Sequence, residues 1–360
     1  RLALDARDFA RADRDLQRAS AKAPDDVRVR ENRSLYYVLQ DKLPEAIREL
    51  EAAAKPKPGE PVNPVLLVRL ADLQIALPDK AAAAATVERM REIGLNASLV
   101  EFFAARLLTL DGQWREARVH FEQLRSVNDW PEVPGFHFPR QIRLQLGACY
   151  ERLRLWDMQL ETYRQAVFDA PDSAVARSGF ASALLRTGKT QQALDEYRRL
   201  ERQVGPERFF KEAAWRENLF DLLLSQESPA GTGGNLAETD AYLAKLEAQK
   251  NVPDDAKGVL RARVAAAHGR VAEARQALIA LLAKKPKDLA VQTALVNLIA
   301  REEGVDAAAK RLDEFAAAGG DAAGLRMVRL QLADRAGRDE AKRLLTAAEA
   351  GVPQAPDDER

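Results

Sequence analysis

The chain has 360 residues, with 55 basic and 55 acidic side chains, 46% hydrophobic residues and 6% aromatic ones. Zero formal charge argues against a general nucleic-acid binder, which needs an excess of Lys and Arg to meet phosphate. One cysteine, Cys149, forbids an intrachain disulfide or a multi-cysteine metal site, and three histidines leave little for a zinc site.

No apolar run approaches the roughly 18–20 residues that cross a bilayer, so no membrane insertion of this segment is expected. Residue 1 is Arg, and residues 1–8 read as the tail of a helix. The sequence is therefore expected to be a segment of a larger protein, which leaves its compartment open.

The first predicted helix carries Ala12, Leu16 and Ala19 and ends before Pro24. Stepping on by 34 positions meets Ala46, Leu50, Ala53 and Pro58, so all four identities return. Internal recurrence at such a period is the mark of a stacked repeat. A third set follows at Ala83, Val87 and Met90, and a fourth at Ala117, Phe121 and Leu124. The fullest is the fifth, with Leu146, Gly147, Tyr150, Tyr163, Ala166 and Pro171. The sixth runs through Leu184, Gly188, Ala193, Tyr197 and Leu200 and closes at Gly205–Pro206. A distorted seventh has Ala241, Ala248 and Pro253. The eighth has Gly269, Ala274, Leu278 and Pro286, and the ninth Leu295, Ile299, Ala308, Leu312 and Phe315. The last has Ala341, Leu345, Ala348 and Pro353.

Each set reads as a helix pair. The recurring alanine of the second helix belongs where two backbones approach closely, and a large residue four positions on fills the neighbouring gap on the same helix face. Gly188 and Gly269 are placed to end first helices in a left-handed conformation that favours glycine. The prolines stop second helices from continuing. A coiled coil is excluded, because Gly and Pro interrupt any long heptad run.

Two segments break the repeat. Residues 128–139 hold three prolines, a glycine, Trp130, Phe136 and Phe138, a composition that excludes helix. The three rings are costly to leave in water, at roughly 2–3 kcal/mol each. They are expected either to plug adjacent helices or to shape and cover one end of a binding groove. Residues 227–234 have the composition of a flexible loop that splits the seventh helix pair.

No nucleophile elbow, paired metal-ligating histidines or dinucleotide turn occurs in the sequence. His120, His137 and His268 read as surface or helix-capping residues, and Cys149 as a small packing residue in mid-helix. Asp25–Asp26 and Asp254–Asp255 read as N-terminal helix caps. No enzyme activity and no cofactor is expected of this segment.

Leu146-Gly147-x2-Tyr150 followed by Tyr163-x2-Ala166-x4-Pro171 resembles the tetratricopeptide repeat (TPR) family, and the resemblance covers nearly the whole chain in about ten units. The matching positions lack the family's first-helix Trp, as at Arg143 and Arg177. Gln159 stands for the second-helix alanine in the fifth unit, and Lys245 for the aromatic in the seventh. The resemblance implies an all-α, right-handed α-solenoid of antiparallel helix pairs. The expected layout is an array over 1–226, comprising six units and the first helix of the seventh with the insertion at 128–139. After the loop at 227–234 the array resumes over 235–353, followed by a polar tail at 354–360.

In this family the first helix of each pair lines the concave face, and its positions 2, 5, 9 and 12 meet the ligand. That implies partner contacts at Arg28, Glu31 and Leu35 in the second unit, and at Leu99, Phe102 and Arg106 in the fourth. Gln141, Leu144 and Glu151 follow in the fifth, and Ser178 and Ser182 in the sixth. Trp130, Phe136 and Phe138 join them if the insertion shapes the groove. A terminal-carboxylate clamp needs Asn at position 9 with basic residues at position 5. Only Asn297 fits, beside Thr293, so such a clamp is not expected.

The expected function is a non-catalytic scaffold or adaptor that takes a protein or peptide, laid as a strand or helix along the concave face. Two alternatives stay open. One is a periplasmic scaffold of exopolysaccharide export or envelope secretion, and the other is the regulatory arm of an enzyme whose catalytic domain lies outside this segment.

Overall fold

A computed structural model describes residues 8–55, 62–226, 236–334, 336 and 338–349. Among them the chain is all-α, with a single isolated bridge between Val133 and Phe136 and no strand. It divides into two compact units, Arg1–Lys189 and Thr190–Arg360. Each unit is an α-solenoid segment in which helices pack on their neighbours in chain order.

In the first unit α1 (Phe9–Lys22) is followed by α2 (Val27–Leu39) with α3 (Leu43–Ala53), and α4 (Pro64–Ala76) with α5 (Lys80–Glu92). Then come α6 (Ala97–Leu110) with α7 (Trp114–Leu124), α8 (Phe138–Arg152) with α9 (Trp156–Asp169), and α10 (Ala174–Arg186). The second unit holds α11 (Thr190–Val204), the short α12 (Pro206–Lys211), α13 (Ala213–Gln226) and α14 (Leu236–Glu247). After these come α15 (Asp254–Ala267) with α16 (Val271–Lys284), α17 (Leu289–Glu302) with α18 (Val305–Ala317), and α19 (Ala322–Ala333) with α20 (Arg338–Glu349).

Local chemistry sets these boundaries. The first helices of the pairs open on short polar caps whose side chains accept backbone N–H bonds: Asp26, Asn63, Asn96, Ser173, Asp288 and Asp321. Such a cap satisfies donors that the first turn leaves without intrahelical partners. The turn into the second helix needs a left-handed residue, supplied by Gly112, Gly188 and Gly269 at φ +74 to +78°. Asp41 and Arg154 take the same conformation without the glycine.

The repeating alanine is the most buried feature of the fold. Ala12, Ala46, Ala83, Ala117, Ala193, Ala274 and Ala308 are all essentially inaccessible. One continuous core in the first unit runs from Ile47 to Tyr150, and one in the second from Val259 to Leu344. A single pair could not bury both of its faces, so this stacking is the source of stability.

Several expectations shift. In the seventh pair Ala241 and Ala248 are exposed, while Thr239, Tyr242 and Leu246 are buried. Thr239 takes the alanine's place, being small enough for it, and Lys245 is therefore not at the aromatic position. In the last pair Leu344 is buried and Leu345 exposed, a displacement of one residue that turns the helix face by about 100°.

Pro206 opens α12, and Phe138 and Pro139 begin α8. Proline fits a first helical turn because the N–H it lacks would be unpaired there. The cap of α15 is Pro253, with Asp254 and Asp255 inside the first turn. The expectations for residues 1–7, Pro58, the 227–234 loop, Pro353 and the 354–360 tail lie outside the described residues.

Candidate partner-binding surface

The candidate positions fall on the first helices of the pairs in the first unit. Their surroundings divide them into two groups. On α2, Arg28 is exposed and Leu35 half-buried. Gln141, Leu144 and Glu151 on α8, and Ser178 and Ser182 on α10, are all half-buried. On α6, by contrast, Leu99 is 2% exposed, Phe102 0% and Arg106 8%.

The insertion covers α6. Trp130 stacks on Phe138, with centroids 4.8 Å apart and planes within 13°. Phe136 lies 4.7 Å from Phe138. The Phe102 ring meets all three edge-on, at 5.5 Å from Phe138, 6.0 Å from Phe136 and 6.4 Å from Trp130. Phe103 meets Phe136 at 6.1 Å.

Edge-to-face rings pair a positive rim with a negative face, which adds about 0.5–1.5 kcal/mol per pair to the burial itself. Gly135, at φ +78°, forms the tip of the segment, where the Phe136 N–H donates to the Val133 carbonyl at 2.9 Å. At its exit His137 caps α8 by accepting the Arg140 N–H at Nδ1.

Two of the charged candidates, Glu31 and Arg106, are paired with residues of α4. Glu31 on α2 accepts from Arg69 of α4 at 2.6 Å. Asp72 on α4 accepts from Arg106 of α6 at 2.5 Å. In the second unit Arg263 on α15 pairs with Glu217 and Asp221 of α13. Burial pushes the Glu217 carboxyl up, against the pull of Arg263 and Arg216.

Arg106 also lies over the rings of Phe102 and Phe103, at 5.7 and 5.6 Å from their centroids. A desolvated guanidinium so held is a structural link, attracted both by a carboxylate and by two ring faces. Its charge is already answered, so it is not a free anchor for an anion. Arg69 reaches further, donating from Nη2 to the Pro134 carbonyl of the insertion at 3.2 Å.

Arg69, Asp72 and Phe103 were not among the sequence candidates, though Arg106 and Asp72 stand one repeat apart. That spacing of opposite charges was the available signal.

Two of the histidines are paired with carboxylates. His120 pairs with Glu101, and His268 with Asp240 at 2.9 Å. Burial pushes the Cys149 thiol up to about 11, which suits a packing residue rather than a thiolate nucleophile. Among the described residues, no group of three or more His, Cys, Asp or Glu side chains is placed to hold a metal ion. No described helix is long and apolar enough to cross a membrane.

Comparison with known proteins finds similarity to one family. The family model of the tetratricopeptide repeat matches residues 1–61. No curated protein matches the chain. Among solved structures, a thermophilic TPR protein of Thermus thermophilus is 18% identical, over 55% of this chain and 100% of its own, with a TM-score of 0.43. A tetratricopeptide repeat protein from Parabacteroides merdae is 17% identical over 76% of this chain and 98% of its own, with a TM-score of 0.44. YrrB, described as a TPR protein with an unusual peptide-binding site, is 16% identical over 52% and 88%, with a TM-score of 0.37. The family model thus matches the first 61 residues, and a similar helix pair with a buried alanine recurs through the described chain.

Proposed function

We infer that the chain is a non-catalytic interaction scaffold that takes a peptide or a helix along the first helices of its pairs. The observation that carries this reading is a row of partly exposed side chains on neighbouring helices of the first unit. Gln141, Leu144 and Glu151 stand half-buried on α8, and Ser178 and Ser182 half-buried on α10, a helix in contact with α8. The row mixes apolar, hydroxyl, amide and acidic groups. Such a surface suits a ligand recognised by side chains inserted at intervals rather than by one charged end. Leu99, Phe102 and Arg106 are buried and are not part of this row.

The test is a peptide array probed with the purified protein and with a variant carrying Leu144→Glu, Ser178→Glu and Ser182→Glu. The variant should keep its melting temperature and lose the peptides bound by the unaltered protein. Unaltered binding would move the partner site off this surface. Turnover of a substrate by the purified chain, with a pH profile that changes on substituting one residue, would overturn the non-catalytic part of the reading.

A further inference from the structure

We propose that residues 128–137, with Phe138 at their exit, are a built-in occupant: the segment fills in cis the surface of α4 and α6 that a partner peptide would use. This rests on the scaffold reading above.

The contacts are those of a bound ligand. An irregular, proline-containing stretch lies across two first helices. Its rings pack on Phe102 and Phe103, at positions where a partner's anchors would insert. One of its carbonyls accepts a hydrogen bond from Arg69, far back in the chain. Within the segment only Val133 is buried. Trp130 and Phe136 stay half-buried, and Asn128, Asp129, Glu132, Pro134 and Gly135 are exposed.

Tethering at both ends, to α7 and α8, gives the segment an effective concentration of about the millimolar scale at its own surface. A micromolar peptide of similar chemistry is therefore excluded while the segment stays down. The ligand that this surface fits is an extended peptide with two aromatic residues around a proline turn, with a free carbonyl facing Arg69. It gains access when the segment is displaced.

The probe is a fluorescent synthetic peptide spanning residues 127–137 of the chain itself. The protein is tested intact and with residues 129–136 replaced by a Gly/Ser linker of equal length. The replaced protein should bind the peptide at least tenfold more tightly than the intact one. A peptide carrying Trp130→Ser and Phe136→Ser should bind neither. Equal binding by both proteins, or none by a folded replacement, overturns the proposal.

Hydrogen exchange on the intact protein gives an independent reading. The Phe136 amide should exchange faster than the amides of α6 and α7. Exchange in step with global unfolding, or a replacement that cannot fold, would make the segment a core element and also overturn the proposal. A negative result with this probe bears on cis occupancy alone, since the array experiment tests partner binding separately.

Discussion

The ring of Tyr163 occupies the space that a Cβ on Gly179 would need. The other side of the same ring closes on Gly147, where an added Cβ would stand 2.5 Å from it, and at Gly179 it would stand closer still. Tyr163 is 7% exposed, and three helices, α8, α9 and α10, meet through this one side chain. Neither glycine has a positive φ, so what each contributes is the absence of a side chain. Gly179→Ala should overpack at a cost of about 1–3 kcal/mol, more than the roughly 1 kcal/mol that Ala gains over Gly inside a helix. In a Tyr163→Leu background the clash is gone, and the same substitution should become neutral or stabilising. Urea unfolding of the two singles and the double reads that reversal. A Gly179→Ala variant as stable as the parent would show that the helices are free to separate.

Gln159 fills the position that most other pairs give to alanine. It is fully buried, and neither its amide nitrogen nor its amide oxygen has a partner. A buried amide without hydrogen bonds costs about 1–3 kcal/mol in lost hydration. Gln159→Met keeps the volume and removes both polar atoms. It should raise stability by about 1 kcal/mol, seen as a higher urea midpoint with an unchanged slope. A lower midpoint would mean that the amide is satisfied in solution.

The Arg106–Asp72 pair should behave unlike the exposed pairs. The Arg106 side chain is 10% exposed, against 71% for Arg48 in its pair with Glu45. Arg106→Ala is expected to cost about 1–2 kcal/mol, mainly through the lost contact with two rings, because the Asp72 carboxylate it leaves is 37% exposed and can be hydrated. In a double-mutant cycle the coupling to Asp72 should exceed about 1 kcal/mol and persist in salt, where surface pairs are typically worth less. The Arg48–Glu45 cycle should fall to near zero under the same conditions. Equal salt sensitivity in the two cycles would count against burial of the Arg106 charge.

High pH should unfold the first unit early. Cys149 is pushed up from 9.0 to about 11 by burial. Tyr150 is pushed up from 10.0 to about 12 by burial and by the Glu122 carboxylate it donates to. A group whose pKa is raised on folding contributes stability that is present below its unfolded value and is lost as pH rises through its folded value. Melting temperature should therefore hold up to about pH 9 and fall steadily towards pH 12. Cys149→Ala should flatten the first part of that fall. For the same reason, native Cys149 should react with a thiol reagent at pH 8 at least about 100-fold more slowly than a free cysteine. Prompt labelling would place the thiol in solvent.

The fold was largely legible in the sequence because its determinants are local and periodic. The alanine at each close approach, the large residue four positions on and the Asp, Asn or Ser before each first helix act within a few residues of themselves. They recur at a spacing that can be counted. Legibility failed where a small residue could stand in for alanine, as Thr239 does for Ala241, since one position then reads like its neighbour. It failed again at α12, which is too short to show a period of its own.

What the sequence determined by itself is the helix pairs and, in most of them, which residues face inward. Only the tertiary structure decided which of the candidate positions are exposed to solvent. Phe102 and Arg106 occupy contact positions by count, yet an insertion from the next connection folds back over Phe102, and Asp72 from the preceding pair claims Arg106. Exposure depends on what packs against a residue from elsewhere in the chain. Arg69 and Pro134 are joined across 65 positions, and no local pattern records such a contact.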